Sequence, residues 1–123
     1  MTRAATGLRA HAHGIGAEAA ACAALLADGW TVHARRARTP AGEIDVVAER
    51  DGLLAFVEVK RRPSLAEAAA AVSPRQRARL LAAGAVLLAA NPGWGRTGVR
   101  FDVIVVDDAG RVRRVADAFR EEA

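Results

Sequence analysis

Two apolar runs on either side of an Asp-Gly step at residues 51–52 constrain the fold of this chain most strongly. Asp-Gly between such runs is among the strongest local signals for a β-hairpin. We therefore predict strands over residues 44–49 and 53–61. The open end of this hairpin carries charges that are unusual for core strands: Glu43, Asp45, Glu58 and Lys60.

The length of the turn sets the register of the predicted hairpin. With residues 51–52 as a two-residue loop, each step back along one strand is a step forward along the other. Counting from the loop places Asp45 opposite Glu58 and Glu43 opposite Lys60. A four-residue loop gives the same pairing, whereas a three-residue loop shifts it by one residue.

The two faces of the hairpin differ in character. Because side chains alternate across a strand, one face is predicted to hold the four charged residues with Val47 and Phe56. The other face is predicted to be apolar: Ile44, Val46, Ala48, Ala55, Val57 and Val59.

The predicted register brings two acids close together. Residues directly opposite each other have Cβ atoms about 4.5–5.5 Å apart, so Asp45 and Glu58 repel unless a cation or a proton joins them. Mg²⁺ prefers such carboxylate oxygens. A salt-bridged cluster, in which Lys60 and nearby arginines neutralise the acids, is the alternative that these residues leave open.

The charge composition points to an anionic partner. The net charge is +4, and Lys60 is the only lysine among 18 basic residues. Lysine carries a compact charge whose pKa falls readily on burial, unlike the permanently charged fork of arginine, so a chemical role for Lys60 is favoured over chance. A basic surface fits nucleic acid, and ordinary solubility charge is the alternative.

The remaining segments predict a single α/β domain over residues 14–123, after a flexible tail over residues 1–13. The element order is α-β-β-β-α-β-β. A lone Cys22 excludes an internal disulfide, and the N-terminus lacks the apolar region of a signal peptide. The longest apolar stretch, residues 80–90, is too short to span a membrane. A cytoplasmic protein with no membrane partner is therefore expected.

The first helix, over residues 15–28, carries an acid among apolar positions. Ile15, Ala19, Cys22 and Leu26 are predicted to form its buried stripe, and Glu18 sits on that stripe. A buried carboxylate needs a partner because unpaired burial is costly. Alternatively, Glu18 is an acid favoured by the positive end of the helix dipole.

The long helix, from Pro74 to about residue 90, begins with a capping box. Ser73 is the predicted N-cap, and Gln76 reaches back from the third helical position. Three arginines near this N-terminus oppose the helix dipole, and bound phosphate would offset that repulsion. These arginines, with two that follow Lys60, are predicted to bind nucleic acid or to be solvated: Arg61, Arg62, Arg75, Arg77 and Arg79.

Several segments resemble one family. Asp45 followed by Glu58-Val59-Lys60 resembles the Asp…Glu-x-Lys core of the PD-(D/E)xK nuclease superfamily. Residues 42–45 (GEID) and 56–60 (FVEVK) resemble the YraN-like family of small bacterial proteins, which is similar to archaeal Holliday-junction resolvases. Residues 16–18, 75–77 and 100–103 match the same family, so the resemblance extends over roughly residues 14–106.

The resemblance implies a restriction-endonuclease-like αβββαβ core, with a central mixed sheet flanked by helices. It implies a DNA endonuclease, with branched or junction DNA as one substrate class and a homodimer as one assembly. Asp45, Glu58 and Glu18 would bind Mg²⁺ or Mn²⁺. Lys60 would position or activate water or stabilise phosphate charge. The runner-up function is a non-catalytic nucleic-acid-binding module with the same fold.

Two further residues are assigned to the surroundings of the site. Glu43 is expected beside the acids, either supporting them or paired with Lys60. Gln76 is the other, although some related nucleases place a tyrosine one helical turn later, where this chain has Leu80. Capping is therefore the preferred role of Gln76.

Overall fold

The computed structural model describes residues 15–66 and 72–120, so the predicted tail over residues 1–13 lies outside the described part. Within these described residues, two helices and five strands follow the predicted order. They are α1 (Ile15–Ala27), β1 (Thr31–Thr39), β2 (Gly42–Arg50), β3 (Leu53–Arg61), α2 (Pro74–Ala90), β4 (Gly98–Val106) and β5 (Val112–Phe119). Neither described helix is long and apolar enough to cross a membrane.

The strands form one mixed sheet in the order β1-β2-β3-β4-β5. Strands β3 and β4 are parallel, and every other pair is antiparallel. A parallel pair needs a long crossover connection, which α2 provides between β3 and β4. The predicted α/β fold with a central mixed sheet flanked by helices is confirmed.

The β2–β3 hairpin has the predicted register. Arg50 pairs with Leu53, and the backbone ladder continues to Val46 and Val57. The two loop residues both have positive φ, 52° at Asp51 and 81° at Gly52. Positive φ at both loop residues is typical of a type I′ turn, whose twist matches that of the flanking strands.

Each face of the sheet packs against one helix. Residues of α1 and alternate sheet positions form one buried cluster: Ala21, Leu25, Val46, Ala48, Ala55, Val57 and Ile104. The intervening sheet positions pack with α2 in a second cluster: Val47, Phe56, Leu80, Ala83, Val103 and Val105. This arrangement confirms most of the predicted division of the hairpin into two faces.

The predicted face of Ile44 is wrong. Ile44 packs in the α2 cluster together with Val47, three positions away, so alternation is broken between them. On the neighbouring strand, Ala34 and Ala37 pack against that same cluster at the same spacing. One of the two residues between them, Arg36, has a left-handed φ of 51°. A residue in this conformation breaks the alternation locally, while the register of β1 with β2 continues without a shift across it.

The predicted buried stripe of α1 is also wrong in part. Cys22 is buried as expected, but Leu26 is among the exposed large apolar residues, and the core side of the helix carries Ala17, Ala21 and Leu25. An alanine-rich helix has little apolar asymmetry, so its orientation follows from packing rather than from sequence periodicity. Glu18 lies on the true buried side, 8% exposed.

Gly84 gives a test of how closely α2 packs on the sheet. A Cβ atom at this position would lie 2.9 Å from Phe101 Cζ and 3.0 Å from Phe56 Cε2. We expect Gly84→Leu to lower the free energy of unfolding by about 2 kcal/mol or more, because overpacking forces these rings to move. Urea denaturation measures the change.

The neighbouring Ala85 is exposed and provides the matched control for this substitution. We expect Ala85→Leu to change the free energy of unfolding by less than about 0.5 kcal/mol, as is usual at the surface. Equal destabilisation by the two leucines would contradict the close contact between α2 and the sheet.

Candidate metal and phosphate site

An open cavity of about 410 Å³ lies where the end of the hairpin meets the first turns of α2. It brings together six of the predicted site residues: Glu43, Asp45, Glu58, Lys60, Gln76 and Arg79. Gly42, Val59 and Leu80 complete the lining. The charged side chains that are anomalous for core strands therefore share one cavity.

Asp45 stands where the backbone ladder of the hairpin ends. The last paired residues are Val46 and Val57, and the amide of Val59 donates to Asp45 Oδ2 at 2.8 Å. A side-chain acceptor thus continues the connection between β2 and β3. This bond fixes one oxygen of Asp45 and leaves the other for a second partner.

Glu58 faces Asp45 across the hairpin end, and its pKa is raised to about 8. Burial is the main cause, followed by a hydrogen bond to Asp45 and the charge of that carboxylate. Lys60 and the backbone at Val59 oppose the shift. Without a metal ion, the pair therefore retains one proton near neutral pH, as expected for two close carboxylates.

Lys60 points toward this acid pair, with its Nζ 3.8 Å from Glu58 Oε2. Its side chain is only 18% exposed. The expected pairing of Lys60 with Glu43 is wrong, because Glu43 pairs with Arg38, the residue opposite it on β1. The Nε of Arg38 lies 3.4 Å from Glu43 Oε2. Glu43 remains in the cavity wall.

Gln76 has the predicted capping role and also lines the cavity. Its backbone amide donates to Ser73 Oγ at 3.2 Å, and its side chain accepts from the Ser73 amide at 3.4 Å. The capping box is confirmed. Because this bond uses the side-chain oxygen of Gln76, its amide NH₂ group is the part that remains for a ligand.

Glu18 is placed with arginines rather than with the acid pair. It accepts from the Nε of Arg35 at 3.4 Å and from the Nε of Arg36 at 3.1 Å. It is absent from the cavity lining described above. The expected reach of Glu18 toward the metal site is therefore not observed, because its charge is balanced on the α1 side of the sheet.

The arginines that were predicted to bind nucleic acid occupy different environments. Arg79 lines the cavity. Arg75 and Arg77 lie at the start of the same helix and are exposed to solvent. Arg61 is paired with Asp108 at 2.8 Å, and Arg62 donates to the carbonyl of Arg61. Arg79 is therefore the arginine of this set that shares the cavity with the acid pair.

The donor set suits a magnesium ion that keeps several of its waters. In residues 15–66 and 72–120, no three acidic, histidine or cysteine side chains form a ready metal cage. Mg²⁺ is commonly bound through one or two carboxylates, with waters and substrate phosphate as its other ligands. Asp45 and Glu58 fit that pattern, since they meet in an open cavity and keep a proton between them when no cation is bound.

Two features of the site lie beyond the sequence pattern. One is the bond from the Val59 amide to Asp45, which replaces the expected backbone pairing. The other is the pairing of Glu43 with Arg38. The Glu43–Arg38 pair follows from the β1–β2 register, which the short turn at residues 39–42 could have predicted. The Val59–Asp45 bond has no signal in the sequence.

The raised pKa of Glu58 predicts how the stability of the metal-free protein depends on pH. Below about pH 4.5, Glu58 is protonated in both the folded and the unfolded chain. Between pH 4.5 and about 8, the folded chain retains a proton that the unfolded chain has lost. The contribution of Glu58 to the free energy of unfolding therefore falls as pH rises through this range.

We expect Glu58→Gln to remove this contribution, because glutamine stays neutral at every pH. The stability of the variant relative to wild type should rise between pH 5 and about 8, by roughly 1 kcal/mol or more after allowance for solvent screening. Urea denaturation in EDTA across this range measures it. A difference that does not change with pH would contradict the shifted pKa.

Comparison with known proteins gives a family. The model of the uncharacterised protein family UPF0102 matches residues 17–106. A UPF0102 protein of Granulibacter bethesdensis is 61% identical over 114 residues, covering 93% of this chain and 72% of the relative. A UPF0102 protein of Azorhizobium caulinodans is 47% identical over 113 residues, covering 92% and 86%.

A third relative extends the match along nearly the whole sequence. A UPF0102 protein of Acidiphilium cryptum is 46% identical over 122 residues, covering 98% of this chain and 93% of the relative. The predicted resemblance to the YraN-like family is thereby confirmed, and the wider relation to nucleases and resolvases stays a prediction. The chain belongs to the uncharacterised protein family UPF0102, the YraN-like family.

Proposed function

We propose that this protein is a Mg²⁺-dependent endonuclease that hydrolyses DNA phosphodiesters. The observation that carries the proposal is the meeting of Asp45 and Glu58 beside Lys60 in one open cavity. Pure nucleic-acid binding requires basic residues, and adjacent carboxylates weaken it by repelling phosphate. Their presence at the centre of a basic protein therefore favours catalysis over binding alone.

The acid pair holds the metal ion in this proposal. When bound, Mg²⁺ or Mn²⁺ would supply a Lewis acid that polarises the phosphoryl oxygens and lowers the pKa of water. Asp45 is held in place by the Val59 amide, so one of its oxygens has a fixed direction. Glu58 would hold the ion as a carboxylate, so its proton would leave on metal binding.

Lys60 and Arg79 bind the phosphate in this proposal. Lys60 lies beside Glu58 at 3.8 Å, where its ammonium group can donate to a phosphate oxygen or hold the attacking water. Arg79 lies in the wall formed by α2, and no described residue forms an ion pair with it. Its guanidinium can form the paired hydrogen bonds that phosphate favours.

Substrate shape and assembly are part of the proposal. The resemblance to resolvases makes flapped and four-way DNA the first substrates to test. A homodimer would present two such cavities, one for each cleaved strand of a junction. A cytoplasmic location fits a DNA substrate in a bacterial cell.

The test is incubation of the protein with linear, flapped and four-way DNA in Mg²⁺, in Mn²⁺ and in EDTA. We expect cutting only with a divalent ion. Asp45→Asn and Glu58→Gln should each reduce the rate by about 10³-fold or more, and Lys60→Met by about 10²–10³-fold, as for other groups that stabilise transition-state charge.

Asp51→Asn is the matched control, because it removes a carboxylate from the closed end of the same hairpin. It should cut at the wild-type rate. Cutting that survives all three site substitutions would contradict the assignment of the site. Binding without cutting on every substrate and metal would favour the non-catalytic nucleic-acid-binding module, and no binding would contradict both functions.

A further inference from the structure

The edge strand β1 carries three arginines that the proposed function does not use. They are Arg35, Arg36 and Arg38, and we refer to them as the β1 arginine row. Strand β1 forms one edge of the sheet, and all three residues are exposed to solvent. Their side chains are 44%, 49% and 85% exposed.

In its contacts with the described residues, each guanidinium of the row is held through its Nε alone. The Nε atoms of Arg35 and Arg36 lie 3.4 and 3.1 Å from the two oxygens of Glu18. The Nε of Arg38 lies 3.4 Å from Glu43 Oε2. None of the described residues accepts a hydrogen bond from their terminal Nη groups. These groups form the fork that binds phosphate.

Glu18 organises two of the three arginines. It is 8% exposed, and its single negative charge is shared by Arg35 and Arg36, which leaves a net positive charge at the surface. Consecutive residues of a regular strand point to opposite faces. The left-handed backbone of Arg36, with φ at 51°, breaks that rule and lets neighbouring side chains reach the same carboxylate.

The row leads to the wall of the cavity. Arg38 pairs with Glu43, which lines the cavity. Arg36 lies between the cross-strand pairs Arg35–Val46 and Ala37–Ile44, so it is opposite Asp45 on the adjacent strand. Neighbouring strands are about 4.8 Å apart. Arg38 therefore lies beside the cavity wall, and Arg35 and Arg36 continue from it along the edge of the sheet toward the α1 side, where they contact Glu18.

We propose that the β1 arginine row binds the sugar-phosphate backbone of the DNA arm next to the scissile phosphate. This inference rests on the proposed function and adds a contact surface to it. Four residues of strand extend about 10 Å, which equals the axial rise of about three nucleotides of one DNA strand. The contact is to phosphate only, so it carries no preference for sequence.

The test is the salt dependence of binding to a short fluorescein-labelled DNA duplex, in EDTA so that no cutting occurs. Fluorescence polarisation between about 50 and 200 mM KCl gives the slope of log K against log salt, where K is the binding constant. This slope becomes less steep by about 0.9 for each phosphate contact that is lost. We expect this change for Arg35→Gln, Arg36→Gln and Arg38→Gln singly. The Arg35→Gln/Arg36→Gln double variant should lose about twice as much.

Arg113→Gln is the matched control, because Arg113 is an exposed arginine on β5 at the opposite edge of the sheet. Its slope should equal that of wild type. If the row variants also keep the wild-type slope while wild type binds and cuts DNA, this inference is overturned and the proposed function stands. The arginines would then only protect an exposed edge. If wild type binds no DNA in EDTA and cuts none with a divalent ion, the proposed function itself fails.

Discussion

The Asp45 and Glu58 carboxylates meet where the β2–β3 ladder ends, and the rest of the site depends on that contact. Two acids this close to each other cannot both carry full charge without a cation, so the metal-free protein keeps a proton between them and the pKa of Glu58 rises to about 8. Lys60 lies 3.8 Å from Glu58 and supplies only part of the missing positive charge. In the function proposed above, a proton and a metal ion would be alternative occupants of one position.

The irregularity of the sheet at Arg36 connects the fold to this site. Alternation breaks at Arg36 in β1 and between Ile44 and Val47 in β2, on adjacent strands at the same level of the sheet. The break moves Ile44 into the α2 cluster, and beside it the carboxylate of Asp45 reaches the backbone of β3. On the α1 side, the same break gathers Arg35 and Arg36 on Glu18. One local departure from regular pairing thus serves both faces of the sheet.

Much of this arrangement is predictable from local sequence rules. Asp51-Gly52 fixes the hairpin register, and that register predicts that Asp45 and Glu58 lie near each other at the open end, where both line the cavity. Ser73, Pro74 and Gln76 give the start of α2 by capping chemistry. The environment of Glu18 and the position of Ile44 depend on the left-handed backbone at Arg36, where arginine replaces the glycine or asparagine that usually signals positive φ. The orientation of α1 is not predictable in this way, because an alanine-rich helix has no distinct apolar face.

The exchange of a proton for a metal ion is the central claim, and proton release on Mg²⁺ binding tests it most directly. Calorimetric titration at pH 7 in buffers of different ionisation enthalpy counts the protons that leave the protein. Because Glu58 is largely protonated at pH 7 and must bind the metal as a carboxylate, the account predicts close to one proton released per ion. It predicts much smaller release at pH 9. Metal binding without proton release at pH 7 would contradict it.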